Sequence, residues 1–276
     1  MRNKHEESES GKVTGQIMNI LCVGDIVGEP GRDILKQLLP DLKQEFDLGL
    51  TIVNAENAAG GSGATPRIAN QLFDAGCDVL TMGDHVWDRH EVKEYMDTRQ
   101  RILRPANFPP GTPGHGWIVY KTFSGKKVAI VNLLGRVFMR YNVDCPFRTL
   151  EGILAEAQSQ TPVIIVDFHA ETTSEKNAMG FFADGRVSAV IGTHTHIQTA
   201  DEKILPKGTA YITDLGMTGP YDSVIGQNKE KIIQRFLTSM PMRFEVAKGD
   251  PRLHGVVISI DTETGRAQKI IRIQRP

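Results

Sequence analysis

The sequence predicts an α/β fold, one domain holding two sheets, the first of them largely parallel. Three observations predict it. A strand–loop–helix pattern repeats between Ile17 and His85. The apolar runs are short, strand-sized and closed by polar residues. The chain of 276 residues is 40% hydrophobic and 24% charged, enough apolar material for a sizeable core. The same figures exclude wholesale disorder and a collagen-like chain.

The elements follow in order. MNILCV runs into Gly24-Asp25 as a buried strand meeting a loop. GRDILKQLLPDLKQEF has apolar residues at helical spacing, with Pro40 as a kink or break point. LTIVNAEN is a second strand, followed by the flexible AGGSGA loop. TPRIANQLFDAG reads as a helix with a Thr cap, a proline in its first turn and a closing glycine. CDVLTMGDH is a third strand. GWIVYKTFSGKKVAIVNLLGRV reads as a hairpin turning at Ser124-Gly125. A helix is expected near LEGILAEAQSQ, and strands at TPVIIVDFHAE, VSAVIGTHTHIQ and GTAYITDLGMTG. The last segment, from Met242, alternates and carries turn signals at Gly249-Asp250 and Thr264-Gly265, so it predicts antiparallel strands.

Residues 1–16 are polar and charged, with no apolar core of a secretory signal. They read as a mobile tail carrying a solvated His5, ahead of one domain over 17–276. No window approaches 18 uninterrupted apolar residues, so no membrane partner is expected. The net charge of −1 supplies no field for nucleic acid, although a local basic groove stays open. The three cysteines, Cys22, Cys77 and Cys145, form no CxxC pair. Neither a zinc ribbon nor a disulfide framework is indicated, and buried thiols in a reducing cytoplasm fit best.

Eight histidines are present. His169, His194 and His196 close predicted buried strands, and His85 follows Gly83-Asp84 at another strand end. One such histidine is usually structural. Four of them, with Asp25, Glu56, Asn57 and Asp84 at like positions, gather at the carboxyl edge where α/β sheets bind ligands. Imidazole nitrogens and carboxylate oxygens suit Mn, Fe and Zn. A carboxylate can bridge two ions. His194 and His196 share a face if their backbone is extended, or diverge toward two ions if it turns. No cysteine lies nearby, so a thiolate zinc site is disfavoured. The chain has no GxSxG elbow, no Walker loop and no GxGxxG spacing. From the residues alone, the reading stops at a two-metal site on strand ends.

The motifs GDIVGEPGR, NAEN, GDHVWD, DFHAETTSEK, GTHTHIQTAD and ITDLGMTGPYDSVIG resemble, in order and spacing, the YmdB-like family of bacterial calcineurin-like metallophosphoesterases. The resemblance runs from about Met18 to the C-terminus. It implies a four-layer α/β/β/α sandwich and a phosphodiesterase acting on cyclic nucleotides such as 2′,3′-cyclic AMP. It implies two ions, iron or manganese. Asp25, Asn57 and His196 would hold the first, Asp84, His169 and His194 the second, and Glu56 would bridge them. A metal-bridging hydroxide would attack phosphorus, with His85 as proton donor. Homo-oligomerisation is a further expectation of the resemblance alone.

One departure stands out. The family usually has asparagine where this chain has Asp84. The centre then carries three formal negative charges, from Asp25, Glu56 and Asp84. Tighter ion retention with slower turnover is one outcome; a neutral replacement is the other. Around the centre, Asp167 and Glu171 read as groups orienting a ligand imidazole, with helix capping an equal reading for Glu171. Asp214, Thr218 and Tyr221–Ser223 read as a glycine-rich loop beside the substrate. Arg32 reads as a phosphate contact or a helix pairing, and Trp87 as a site wall or core. Met139, Arg140 and Tyr141 read as a rim or a subunit contact. Two rival functions remain: a phosphomonoesterase or nucleotidase on the same core, and a regulatory RNA- or protein-binding protein with weak catalysis.

Overall fold

A computed structural model of the chain describes residues 16–276. The tail expected over 1–16, with His5, lies outside the described residues but for Gln16. The carbonyl of Gln16 accepts from the backbone N–H of Thr262 at 3.1 Å and from its hydroxyl at 2.9 Å.

The chain opens with β1 (Ile17–Val23) and β2 (Asp25–Ile26), then α1 (Gly28–Glu45) and β3 (Leu48–Asn54). Helix α1 passes unbroken through Pro40. Its buried face carries Leu35, Leu39 and Leu42. Burial of each is worth roughly 1.5–3 kcal/mol, together more than the ~3 kcal/mol an interior proline costs. Helix α2 (Pro66–Asp74) bears the expected punctuation: the Thr65 hydroxyl accepts from the Ile68 N–H at 3.3 Å, and Gly76 turns left-handed at φ 105°. Strand β4 (Val79–Thr81), α3 (Val92–Thr98) and β5 (Ile102–Leu103) follow.

The hairpin of β6 (Trp117–Lys121) and β7 (Lys127–Leu134) turns around Ser124-Gly125 as predicted. Then come α4 (Pro146–Gln160), β8 (Ile164–His169), α5 (Thr173–Ala183), β9 (Ala189–Thr193), β10 (Lys203–Ile204), β11 (Ala210–Ile212) and β12 (Met217–Pro220). Helix α6 (Lys229–Thr238) precedes β13 (Pro251–Asp261) and β14 (Ala267–Arg275), which pair antiparallel across the Thr264-Gly265 turn. The stretch from Met242 to Gly249 forms no named strand, only an isolated bridge between Gln227 and Val246. Its alternation leaves Met242 and Phe244 exposed, so no packed face rewards a strand there.

The eight-stranded first sheet runs β2-β12-β13-β1-β3-β4-β5, with β14 on β13; β1, β3, β4 and β5 are parallel. The six-stranded second sheet runs β10-β11-β9-β8-β7-β6, parallel from β7 to β11. Strand alternation sets the layers. In β1, Leu21 and Val23 pack under α1 and α2, while Ile20 and Cys22 face the second sheet and meet Ile130, Ile165 and Ile191. On the far side Val131, Val166 and Phe168 pack under α4 and α5. This is the four-layer α/β/β/α sandwich. Cys22 and Cys77 are buried free thiols, as expected, and burial raises both, Cys77 to about 12.

Candidate metal centre

Both sheets deliver their parallel strands' carboxyl ends to one edge, and the predicted residues meet there. The first sheet supplies Asp25 on β2, Glu56 and Asn57 after β3, and Asp84 after β4. The second supplies His169 at the end of β8, and His194 and His196 after β9. Oxygen donors thus come from one sheet and imidazoles from the other.

Glu56, Asp84, His169 and His194 offer ligand atoms that all lie within 4.8 Å of one another. His169 Nε2 is 3.0 Å from Glu56 Oε1, 3.3 Å from Asp84 Oδ1 and 3.0 Å from His194 Nδ1. A second group adjoins it. His196 Nε2 lies 3.2 Å from Asn57 Oδ1, and Asp25 Oδ1 is 3.9 Å from both His196 Nε2 and His169 Nδ1. The backbone turns at His194 (φ 106°) and His196 (φ 65°), so the two rings diverge toward these two groups. Gly83 makes room: a Cβ there would lie 2.0 Å from Glu56 Oε2.

The donor set fits ions. Asp25 Oδ1 and Asp84 Oδ1 are buried without a hydrogen-bond partner among the described residues, a costly state for a carboxylate unless a cation satisfies it. Without ions, protons take that part. Burial pushes Asp25 well above the usual carboxylate range. Burial disfavours the His169 cation, yet Glu56, Asp84 and Asp25 outweigh it and raise His169 well above an ordinary imidazole. Burial would lift Glu56 and Asp84 too, but the neighbouring His169 charge holds both below their ordinary values. Burial, then the neighbouring His169, brings His194 down to about 4, and burial lowers His196. Lone pairs on His194 and His196 are therefore open to a ligand.

The surrounding groups orient these donors. Asp167 accepts from Thr81 Oγ1 at 2.5 Å and Thr193 Oγ1 at 2.7 Å; Thr193 Oγ1 in turn lies 2.9 Å from His169 Nδ1. Glu171 sits 3.1 Å from His194 Nε2, and no side chain of Thr172 caps α5, so imidazole orientation rather than capping describes Glu171. Asp214 does not border open space: it is fully buried, pairs with Lys176 at 2.6 Å and accepts from the Thr195 N–H at 3.1 Å. Thr218 is likewise buried, and the Tyr221 hydroxyl meets His254 Nδ1 at 2.6 Å. Arg32 donates to the Ala58 carbonyl at 2.5 Å. Trp87 is half-buried edge-on to Phe108, and Tyr141 packs on the same ring. Sequence reading missed Asp88, whose Oδ2 is 2.8 Å from His85 Nδ1. Its signal was there in GDHVWD, three residues beyond the histidine.

The YmdB-like family model matches residues 21–273. The chain belongs to the YmdB-like family. A 2′,3′-cyclic-nucleotide 2′-phosphodiesterase of Bacillus subtilis is 54% identical to this YmdB-like chain over 256 residues, 93% of the chain and 96% of the relative. Among solved structures, a protein of Thermus thermophilus superposes with a TM-score of 0.87 at 41% identity, covering 94% of this chain and 100% of the other. A phosphatase from Mycoplasma pneumoniae superposes with a TM-score of 0.89 at 38% identity, covering 94% of each. These likenesses identify the sandwich as the calcineurin-like metallophosphoesterase type.

Proposed function

We propose that the chain is a two-metal phosphodiesterase whose substrate is a cyclic nucleotide such as 2′,3′-cyclic AMP. The observation that carries this reading is the convergence of buried, partly unsatisfied carboxylates and imidazoles at the sheet edge, in a chain 54% identical to a relative of that activity. Asp25, Asn57 and His196 would hold one ion, Asp84, His169 and His194 the other, and Glu56 would serve both. Mixed oxygen and nitrogen donors suit iron or manganese. The chemistry such ions supply when bound is Lewis acidity toward a phosphoryl group and activation of water near neutral pH.

The chain's own residues do the rest. Asp167, through Thr193, and Glu171 fix the His169 and His194 rings, which keeps their donor nitrogens aimed inward. His85 stands beside the cluster, its backbone N–H donating to Glu56 Oε2 at 3.3 Å and its ring partly exposed, and gives the leaving ribose oxygen its proton. Such general acid help is worth roughly 10²–10⁴-fold. The loop after β7 starts at Gly135, whose N–H donates to the His169 carbonyl at 2.9 Å. It continues to Arg140 beside Asp88. Between them Phe138 is 87% exposed with φ 60°, an aromatic surface on which a nucleobase can stack. Residues 17–276 form the single catalytic domain in this reading. Buried free thiols support a reducing cytoplasm, and the exposed Ile233, Phe236 and Leu237 of α6 support self-association.

The test is metal analysis of protein purified without chelator, beside hydrolysis of 2′,3′-cyclic AMP and of a simple monoester. About two ions per chain, with manganese- or iron-dependent opening of the diester, is the expected result. Turnover of the monoester alone would make it a phosphomonoesterase. No ion after reconstitution would remove the chemical basis of the reading.

A further inference from the structure

We propose that the buried pair Lys176–Asp214 positions the histidine turn of the metal centre: Asp214 pins the Thr195 N–H between His194 and His196, and Lys176 balances the charge that Asp214 brings. This rests on the reading of His194 and His196 as ligands to two ions.

The turn needs such a device because its backbone is costly. His194 and His196 both have positive φ, 106° and 65°, which residues other than glycine seldom adopt. Strain of this kind persists only where the surroundings impose it. Asp214 imposes it from behind. Its Oδ2 accepts from the Thr195 N–H at 3.1 Å and from Lys176 Nζ at 2.6 Å, and its Oδ1 accepts from the Gly216 N–H at 2.8 Å. On the other side, the His194 N–H donates to Asp25 Oδ2 at 3.3 Å. Successive amides of the turn are thus held by two carboxylates, one inside the centre and one behind it. Further stitches join the turn to the chain after β11: the Thr199 N–H donates to the Asp214 carbonyl, and the Met217 N–H to the His196 carbonyl, both at 3.1 Å. Lys176 arrives from α5, between β8 and β9. Gly192 leaves room for its stem, since a Cβ there would lie 3.1 Å from Lys176 Cδ and 1.7 Å from the Thr213 carbonyl oxygen.

Stability alone does not account for the pair. The two side chains are 1% and 0% exposed. Among the described residues Asp214 is the one acceptor for Lys176 Nζ, and an ammonium has more donors than that contact uses. Taking two charges out of water costs so much that apolar residues of the same volume often serve stability equally well. Apolar residues could not accept from the Thr195 and Gly216 amides. An asparagine in place of Asp214 could not accept from both in the same way, because it offers one oxygen and turns an NH₂ toward the other N–H. Two acceptor oxygens are therefore what the position demands, and the lysine is what allows a carboxylate to be buried there. The rings on either side of Thr195 belong to different ions, so one pin governs both.

The test uses two double variants of the full chain, Lys176→Met with Asp214→Leu and Lys176→Met with Asp214→Asn. Neither leaves a lone buried charge, so both should fold with an unchanged far-ultraviolet spectrum. The readouts are manganese binding to chelator-stripped protein and amide hydrogen exchange in the metal-free protein; neither needs turnover. We expect the affinity for both manganese ions to fall about 10–100-fold, the range for groups that orient ligands. Asn57→Ala, which removes a ligand of one ion, should weaken chiefly that ion. In the metal-free wild type the Thr195 amide should exchange at least about tenfold more slowly than that of Ile197, whose N–H has no partner among the described residues. The double variants should lose the Thr195 protection while the amides of β8 and β9 keep theirs. Wild-type manganese affinity in the folded double variants, or a loss confined to one ion, overturns the proposal. Loosening of β8 and β9 together with Thr195 would mark a merely structural pair and overturns it too. So does a wild-type Thr195 amide that exchanges as fast as that of Ile197, a result that needs no variant to fold. If the wild type itself binds no manganese, the functional reading fails, and the Thr195 amide alone decides whether Asp214 pins the turn.

Discussion

Single atoms decide what the centre can hold. Gly83 lets Glu56 and His169 close on each other, and Gly83→Ala would place a methyl carbon 2.0 Å from one and 2.3 Å from the other. We expect that variant to fold, with an unchanged far-ultraviolet spectrum, and to lose at least one ion per chain by elemental analysis. Full metal content in Gly83→Ala would mean that the carboxylate and ring move aside. Asp84 raises a different question. Its Oδ1 lies among two imidazoles with no hydrogen bond, so its charge is committed to the centre. We expect Asp84→Asn to release ions to a chelator about tenfold faster and to raise kcat, since a less neutralised pair polarises phosphate more strongly; identical release and turnover would make the exchange neutral. The strand-end residues of the centre were legible in the sequence because each follows an apolar run. Asp167 was legible as an orienting group from its place two residues before His169, whereas Thr193 and Asp88 went unread, Thr193 because its contact joins two separate strands and Asp88 because its contact forms only when the turn after Asp84 closes.

Elements differ in how plainly the chain announces them. Helix α2 carried cap, proline and terminal glycine and formed where expected. Helix α1 carried a warning at Pro40 that its leucine face overrode. Helices α3 and α6 went unread: the first is seven residues long, and the second buries none of its side chains. The alternation after Met242 suggested a strand, but a strand needs a packed face, and Met242 and Phe244 lie largely exposed. With so little buried apolar contact, α6 should open far more readily than α1. Hydrogen–deuterium exchange should show the amides of 229–244 exchanging at least about tenfold faster than those of 31–42; equal protection would contradict this.

At the scale of the whole molecule the sandwich is two sheets joined by an apolar seam, with a polar patch at one end of it. Asn54 of β3 and Thr81 of β4 reach across to Asp167 of β8, 3.3 Å and 2.5 Å away. The donors of the metal centre straddle the same boundary. Ions held there bind the folded chain alone and stabilise it by mass action, about 2.7 kcal/mol at a hundredfold excess over Kd. Chelation should therefore lower Tm by roughly 5–10 °C in a domain of this size. A Tm unmoved by chelator and by added manganese would argue against ions at the boundary.

The division of donors, oxygens on one sheet and imidazoles on the other, has a consequence for how the chain matures. Neither half can assemble the centre alone, so an ion arriving early finds only half a grip. Occupancy then acts as a certificate that both halves have docked in register. In a cell short of the metal, newly made chains would lack that rivet, and their turnover by proteases would follow metal supply.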